Sequence, residues 1–340
     1  MLRQDIQKGV YKVGEKIPSY DTLGDRYGLN RLTVRKTLKA LEEEGLVYSL
    51  AAKGTYVGKG TSAKTSTAKR MGLMSSIATA ETLGQHHLSL VEHLTSALHD
   101  RGYFLQFCRS CGENPDESWW QSIDTGEYGG IVVMGPMSQT ILDQLSLKFP
   151  LIHIDPQLAI PTLPSVCIDN FTGGKIAAEA ILSRGHRNIA IILGDQPCSE
   201  ERLAGFQMVA SKVKDLDIKT YLGNFTAPSG LRCAEEILTN FPQVSAVFCI
   251  NDEMAAGVLQ AFSLRGIRVP QQISVLGFDD SPIAQVVAPP LSSVGIPTKH
   301  IAKAACEALF CQIDTPKAEF VSNTSITPRL IVRDSLANKV

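Results

Sequence analysis

Five side chains able to meet a polyanion follow one another closely in NRLTVRK: Asn30, Arg31, Thr33, Arg35 and Lys36. Arginine can fork two donors onto a guanine edge, lysine neutralises phosphate, and asparagine or threonine can bond either. Arg31 and Arg35 stand four apart, so a helix puts them on one face. Glu42, Glu43 and Glu44 close the same segment and would lie at the end away from a polyanion. A second group of polar residues ends predicted strands: Ser76, Asp155, Asp195, Asn251, Asp252 and Asp279. Carboxylates and amides suit the hydroxyls of a polyol, and Phe225 or Phe171 could cover a sugar ring's apolar face. The alternative is that strand-end Asp and Asn simply cap the helices that follow, which for any one of them is the commoner role.

The elements that must position these residues can be read from the pattern. Gly14 to Pro18 reads as a turn, Ser19 can cap a helix from Tyr20 to about Tyr27, and Gly28 breaks it. A second helix runs from Asn30 to Glu44 and stops at Gly45, with Leu32, Val34, Leu38, Leu41 and Leu46 as its expected buried stripe. LVYSLAAKGTYVG then reads as two short strands with Lys53 and Gly54 at the tip between them. Helix, turn, helix and hairpin make a winged helix-turn-helix, whose second helix enters the major groove front end first. Lys39 would add a further phosphate contact. A lone basic helix could be a merely solvated face; the turn, the glycine break and the hairpin argue against that here.

GKGTSAKTSTAKR, residues 58–70, is small, polar and basic, and is expected to be a flexible tether rather than an ordered hinge helix. From Met71 the rhythm changes to short apolar runs alternating with helical stretches, as in GGIVVMG, NIAIILG, AVFCIND and ISVLGFDD. This is βαβ repetition with parallel strands, in two halves, and ligands of such sheets lie beyond the strand C-termini. The expected fold is therefore multi-domain: an α+β winged helix-turn-helix followed by a two-lobed α/β body. Expected boundaries are 1–60 for the head, 61–70 for the linker and 71–340 for the body. Lobe 1 takes about 71–169 plus 297–327, and lobe 2 about 170–296 plus 328–335.

Charge supports the division. The 340 residues carry a net charge of −1, but residues 1–70 hold 14 Lys/Arg against 7 Asp/Glu while residues 71–340 hold 19 against 27. A basic head on an acidic body points to a head that meets nucleic acid. No apolar run approaches the roughly 18 residues of a membrane span. The N-terminus lacks the apolar core of a secretory signal, so a cytoplasmic protein is expected. The 8 scattered cysteines suit reduced thiols.

The segment from Ile6 to Val57 resembles the winged-helix domain of the gluconate-repressor (GntR) family through Ile-Pro-Ser, Arg31-Leu-Thr-Val-Arg35, EEGLV and KGTYV. The resemblance spans about residues 2–57. It implies DNA contacts by Ser19, Asn30, Arg31, Thr33, Arg35 and Lys36, with Lys53 and Gly54 at the wing. Three departures stand out. Family members usually begin one or two helical turns earlier. Tyr20-Asp21-Thr22 stands where Glu-Arg-Glu is frequent, so Asp21 replaces a common DNA-contacting arginine and would repel phosphate. The wing reads Ala51-Ala52-Lys53 instead of a Gln-Gly-Arg type.

CIDNFTGGKIAAEAILSRGHRNIAIILG, SEERLAGF, the stretch from Ala246 to Val294 and PRLIVRDS resemble the effector domain of the lactose/galactose-repressor (LacI/GalR) family, over about residues 71–335. That resemblance implies a periplasmic-binding-protein-like fold for the body, a sugar-forking Arg202, hydroxyl contacts from Asn251 and Asp279, a stacking Phe225, and weaker matches at Asp155 and Ser76. The family's Asn-Pro-Phe-Phe is absent. Gln85-His86-His87-Leu88 stands near it and is expected as a solvent-facing helix start, with contact to a ligand through His86 or His87 as the alternative. Ile296 follows Gly295 where a polar ligand residue is frequent, which implies a different or less hydroxylated ligand. The combination of head and body resembles that of arabinose-repressor-like transcription regulators.

The expected function is a ligand-responsive repressor of carbohydrate genes, a homodimer on a palindromic double-stranded operator, with a sugar or sugar derivative as effector. No cofactor, catalytic residue, metal or membrane contact is expected. The alternative is a cytosolic sugar-binding or sugar-modifying α/β protein without DNA regulation. Cys108-Arg-Ser-Cys111 is a lone CxxC without the spacing of a zinc site, read as bland strand-end thiols over a redox pair. Trp119-Trp120 read as packing. No dinucleotide-binding loop, P-loop or nucleophile elbow is present.

Overall fold

The computed structural model describes residues 2–7, 10–12, 14–43, 46–50, 54–57, 69–75, 84–108, 115–124, 127–156, 162–315 and 323–339. The chain divides into two compact units, Met1–Ala68 and Lys69–Val340. Most of the tether lies outside the described residues, as do Lys53, Ser76 and Cys111.

The first unit holds α1 (Leu2–Gln7), α2 (Tyr20–Tyr27), α3 (Arg31–Glu43) and the antiparallel strands β1 (Val47–Leu50) and β2 (Gly54–Val57). Ser19 caps α2, its Oγ accepting from the Thr22 N–H at 3.3 Å. Gly28 ends that helix in the left-handed conformation, φ +66°, which glycine adopts without a Cβ clash. Asn30 caps α3: its Oδ1 accepts from the Thr33 N–H at 2.8 Å and from the Thr33 hydroxyl at 2.9 Å. Val34, Leu38 and Leu41 form the buried stripe, at i, i+4 and i+7, against Ile17, Leu23 and Val57. Two members of the expected stripe fall off it. Leu46 is only half-buried beyond the helix end, and Leu32 is 62% exposed, since two residues before Val34 a helix has turned to its far side.

The second unit runs β3 (Lys69–Ser75), α4 (Gln85–His99), β4 (Tyr103–Phe107), α5 (Glu117–Asp124), β5 (Tyr128–Met134), α6 (Gln139–Lys148), β6 (Leu151–Ile154) and β7 (Ser165–Ile168). It continues with α7 (Asn170–Leu182), β8 (Asn188–Leu193), α8 (Pro197–Ala210), β9 (Asp217–Leu222), α9 (Ala227–Asn240), β10 (Ala246–Cys249), α10 (Asp252–Leu264), β11 (Ser274–Asp279), α11 (Ile283–Val286) and β12 (Ser292–Gly295). The chain then returns through α12 (Thr298–Asp314) and β13 (Asn323–Ile326) and ends with β14 (Arg329–Ile331). The first six-stranded sheet is ordered β13-β7-β6-β5-β3-β4, all parallel, and the second β14-β12-β11-β10-β8-β9, parallel except for β14. The chain passes between the sheets three times, after β7, after β12 and after β13.

Covered on both faces by helices, the central strands are apolar: Ile189 to Ile192 and Ala246 to Cys249 are fully buried. In the second lobe Phe206 stacks on Phe248 with ring centroids 5.7 Å apart. Helices α7 and α8 touch backbone to backbone. A Cβ at Gly174 would lie 1.9 Å from the Arg202 carbonyl oxygen, and one at Gly205 would lie 1.9 Å from that of Phe171. Glycine at both places lets α8 press onto α7, and this contact sets where Arg202 starts.

Candidate functional site

In the head, Asn30, Arg31, Thr33, Arg35 and Lys36 are all exposed on the front of α3, and Ser19 is exposed at the start of α2. Asn30 spends its carbonyl oxygen on the cap, which leaves its amide hydrogens for a partner. The free N–H groups and dipole of a helix N-terminus add to the attraction for phosphate. Asp21 sits 3.7 Å from Arg31, both exposed, so one carboxylate lies within the basic face. Gly54 takes φ +108° where the described part of the wing begins. The exposed Leu32 was not anticipated here; its side chain suits the methyl group of thymine.

In the body, the strand ends of both sheets converge on a cleft. A hollow of about 330 Å³ is bounded by residues including His86, Asp155, Asn170, Cys198 and Glu201. A neighbouring one of about 220 Å³ shares His86, His87, Asp155 and Cys198 and adds Arg202, Phe225, Asn251, Glu253 and Asp279. Of the sequence-expected ligand residues, Asp155, Arg202, Phe225, Asn251 and Asp279 are thus brought to one place.

Arg202 is the centre of this arrangement. It is 5% exposed, donates from Nε to Asn170 Oδ1 at 2.9 Å and from Nη1 to the Ile250 carbonyl, and lies 3.8 Å from Asp279. Its guanidinium covers the Phe278 ring at 3.7 Å from the centroid. Asn170 in turn donates to Glu201 at 3.1 Å. Asn251 both caps and lines: its Oδ1 accepts from the Met254 N–H at 3.0 Å, and its Nδ2 donates to the Phe225 carbonyl at 2.9 Å. One amide hydrogen remains for a ligand, so the capping and binding roles coexist. Phe225, at φ +64°, presses its ring over Gly194. Asp155 and Asp279 also take positive φ, of 51° and 107°, a backbone state that costs free energy outside glycine and gathers at functional sites.

Burial raises the pKa of Asp155 against the opposing pull of Arg202, and raises that of Asp279 well above the usual carboxylate range against the same pull. Burial, with His87 and Arg202 repelling the charged form, pushes His86 down to about 3. His87 is lowered by burial as well.

Several expectations are corrected. The start of α4 does not face solvent: His86 and His87 both line the cleft, because α4 follows β3 and points its N-terminus at the strand ends. Asp195 is exposed and lines neither hollow. Asp252 is buried as a structural knot, accepting from the Ser281 N–H at 2.7 Å and the Ser293 hydroxyl at 2.7 Å. Burial, opposed by those bonds, raises its pKa to about 7. Phe171 lies outside both linings. By contrast, the packing expected of Trp119-Trp120 is what is found: Trp119 is in the core with Trp120 edge-on at 4.8 Å. Asn170, Glu201 and Glu253 were missed, although Asn170 lies in CIDN and Glu201 beside Arg202 in SEERLAGF.

Gln85 ties the lobes together across the cleft. Its N–H donates to Glu253 at 3.2 Å, and its side-chain oxygen accepts from the Ile283 N–H at 2.9 Å. Among the described residues no group of three metal-ligating side chains is present, and no helix is long and apolar enough to cross a membrane.

A winged helix with a bare basic front, and two parallel-sheet lobes around a polar cleft, define a DNA-binding transcription regulator with an effector-binding body. Residues 1–57 match the bacterial regulatory proteins of the gntR family, and residues 178–336 match the periplasmic binding protein-like domain. The chain thus joins a GntR-type DNA-binding head to a periplasmic-binding-protein-like effector domain. The arabinose metabolism transcriptional repressor of Geobacillus stearothermophilus is 25% identical over 354 residues, covering 98% of this chain and 96% of that protein. The ribose operon repressor of Haemophilus influenzae is 28% identical over 64% of this chain and 66% of its own length. The Escherichia coli transcriptional repressor ascG shares the fold with a TM-score of 0.68 and 27% identity, over 79% of this chain and 99% of the solved one. These relatives are transcription regulators, not enzymes.

Proposed function

We propose that this regulator represses genes of carbohydrate uptake or catabolism, gripping a palindromic operator as a cytoplasmic homodimer and answering to a sugar or sugar derivative in the interlobe cleft. The observation that carries the effector half is Arg202, held by Asn170 and the Ile250 carbonyl with Asp279, Asn251 and Phe225 around the same hollow. Two donors of its outer nitrogen remain to fork across adjacent hydroxyls. The repressors of a ribose operon and of arabinose metabolism among the relatives support a sugar as the effector class. The head, 1–60, would act through the tether, 61–70, on the occupancy of the body, 71–340.

The coupling follows from the three-strand connection between lobes. A ligand shifts an open–closed equilibrium only by its differential affinity for the two forms, and closure would alter the spacing of two dimerised heads. The test is fluorescence anisotropy on a labelled promoter fragment with and without sugar. Arg202→Ala should keep operator binding and lose the sugar response; a normal response from the mutant would put the effector site elsewhere.

A further inference from the structure

The cleft holds more carboxyl groups than its one guanidinium can balance. Asp155 and Glu201 line the larger hollow, and Glu253 and Asp279 line the smaller. Arg202 is their cationic neighbour and is already paired with Asp279 at 3.8 Å. Among the described residues Asp155, Glu201 and Glu253 form no ion pair. The two imidazoles do not redress the balance, since burial, aided by Arg202, holds His86 near 3 and also lowers His87. Burial favours a proton on Asp155 and on Asp279. Even with both protonated, two carboxyl groups remain against a single guanidinium.

Two further features show that the cleft is built for a polar occupant. The 5% exposed Arg202 has no hydrogen-bond partner for Nη2 among the described residues, and the buried Nδ1 of His87 has none either. Buried polar groups in a folded protein are paired as a rule, so His87 Nδ1 awaits a partner from a ligand, and Arg202 Nη2 is free to take one.

We propose that the effector is an aminated polyol, an amino sugar carrying an ammonium group, and that sugar phosphates and sugar acids are rejected. An ammonium offers three donors and no acceptor, which matches a wall of carboxylate oxygens. An anion would meet like charge at Glu201 and Glu253, two carboxyl groups against the one guanidinium of Arg202, and specificity gained by such repulsion needs no tighter fit to the accepted ligand. The inference rests on the proposed sugar response and names the chemistry of its ligand.

Calorimetric titration of the full chain with matched series tests it: glucosamine, glucose and glucuronate, and galactosamine, galactose and galacturonate. In one series or the other the amine should bind about tenfold or more tighter than the parent sugar, weaken with added salt, and leave the acid without measurable binding. Glu201→Gln should cost the amine about tenfold and the parent sugar less. An acid that binds as tightly as the amine, or an amine no tighter than its parent, overturns the inference. If the parent sugar then still releases the operator, the proposed function stands alone; if no member of either series binds, this inference falls and the proposed function passes to its own test with pentoses.

Discussion

The two working surfaces of this chain are built on opposite plans. The front of α3 collects Asn30, Arg31, Thr33, Arg35 and Lys36 from seven consecutive positions, all exposed, with Asn30 and Thr33 joined only through the helix cap. The cleft collects Asp155, Asn170, Arg202, Asn251 and Asp279 from five separate places in the chain; Arg202 is tied to Asn170 and Asp279, and Asn251 to the backbone of Phe225 and Met254. An exposed basic row loses binding in steps as charges are removed, and its attraction falls with salt. A buried polar network behaves as a unit, because removing one member strands its partners.

That contrast can be broken or sharpened by mutation. The largest effect is expected at the α7–α8 contact. Gly174→Ala should lower stability by about 3 kcal/mol and disable the cleft without touching a ligand residue, since the new methyl group meets backbone that cannot rotate away. Thermal unfolding and sugar titration of the same sample check it, and a stable, fully responsive variant would show the helices to be less tightly seated. Next comes Arg35→Ala, which should cost DNA affinity about tenfold to a hundredfold and leave sugar binding intact, measured by anisotropy and calorimetry. The smallest effect is expected at Asp21→Asn. Removing a carboxylate 3.7 Å from Arg31 should raise operator affinity by a few-fold, the modest size set by solvent exposure of both groups. A loss of affinity there would mean that Asp21 orients Arg31 for readout.

The same contrast explains what could be read from the amino-acid order. The head was legible because its signals are local: Ser19 and Asn30 at caps, Gly28 at a stop, Val34, Leu38 and Leu41 one turn apart. Leu32 was placed in the stripe by type, and only the helical phase set by its neighbours turns it outward. In the body the βα rhythm fixed the class of sheet, and resemblance pointed to Arg202, Asn251 and Asp279. Asp252 and Asn251 are adjacent and similar in type, yet one knots the core and the other lines the cleft; strand and helix direction decide this, and the pair of letters does not. His86 and His87 were expected to face solvent, with ligand contact only the alternative, and Glu253 was missed, because they reach the cleft from α4 and α10, whose meeting depends on how two lobes face each other.

Gln85 gives that meeting a particular economy. One amide side chain and its own N–H clasp both Glu253 and the Ile283 N–H on the facing lobe, so parting the lobes there severs two weak bonds at a single residue. A jaw that closes there on so few bonds would need only a small differential affinity in its guest to be tipped.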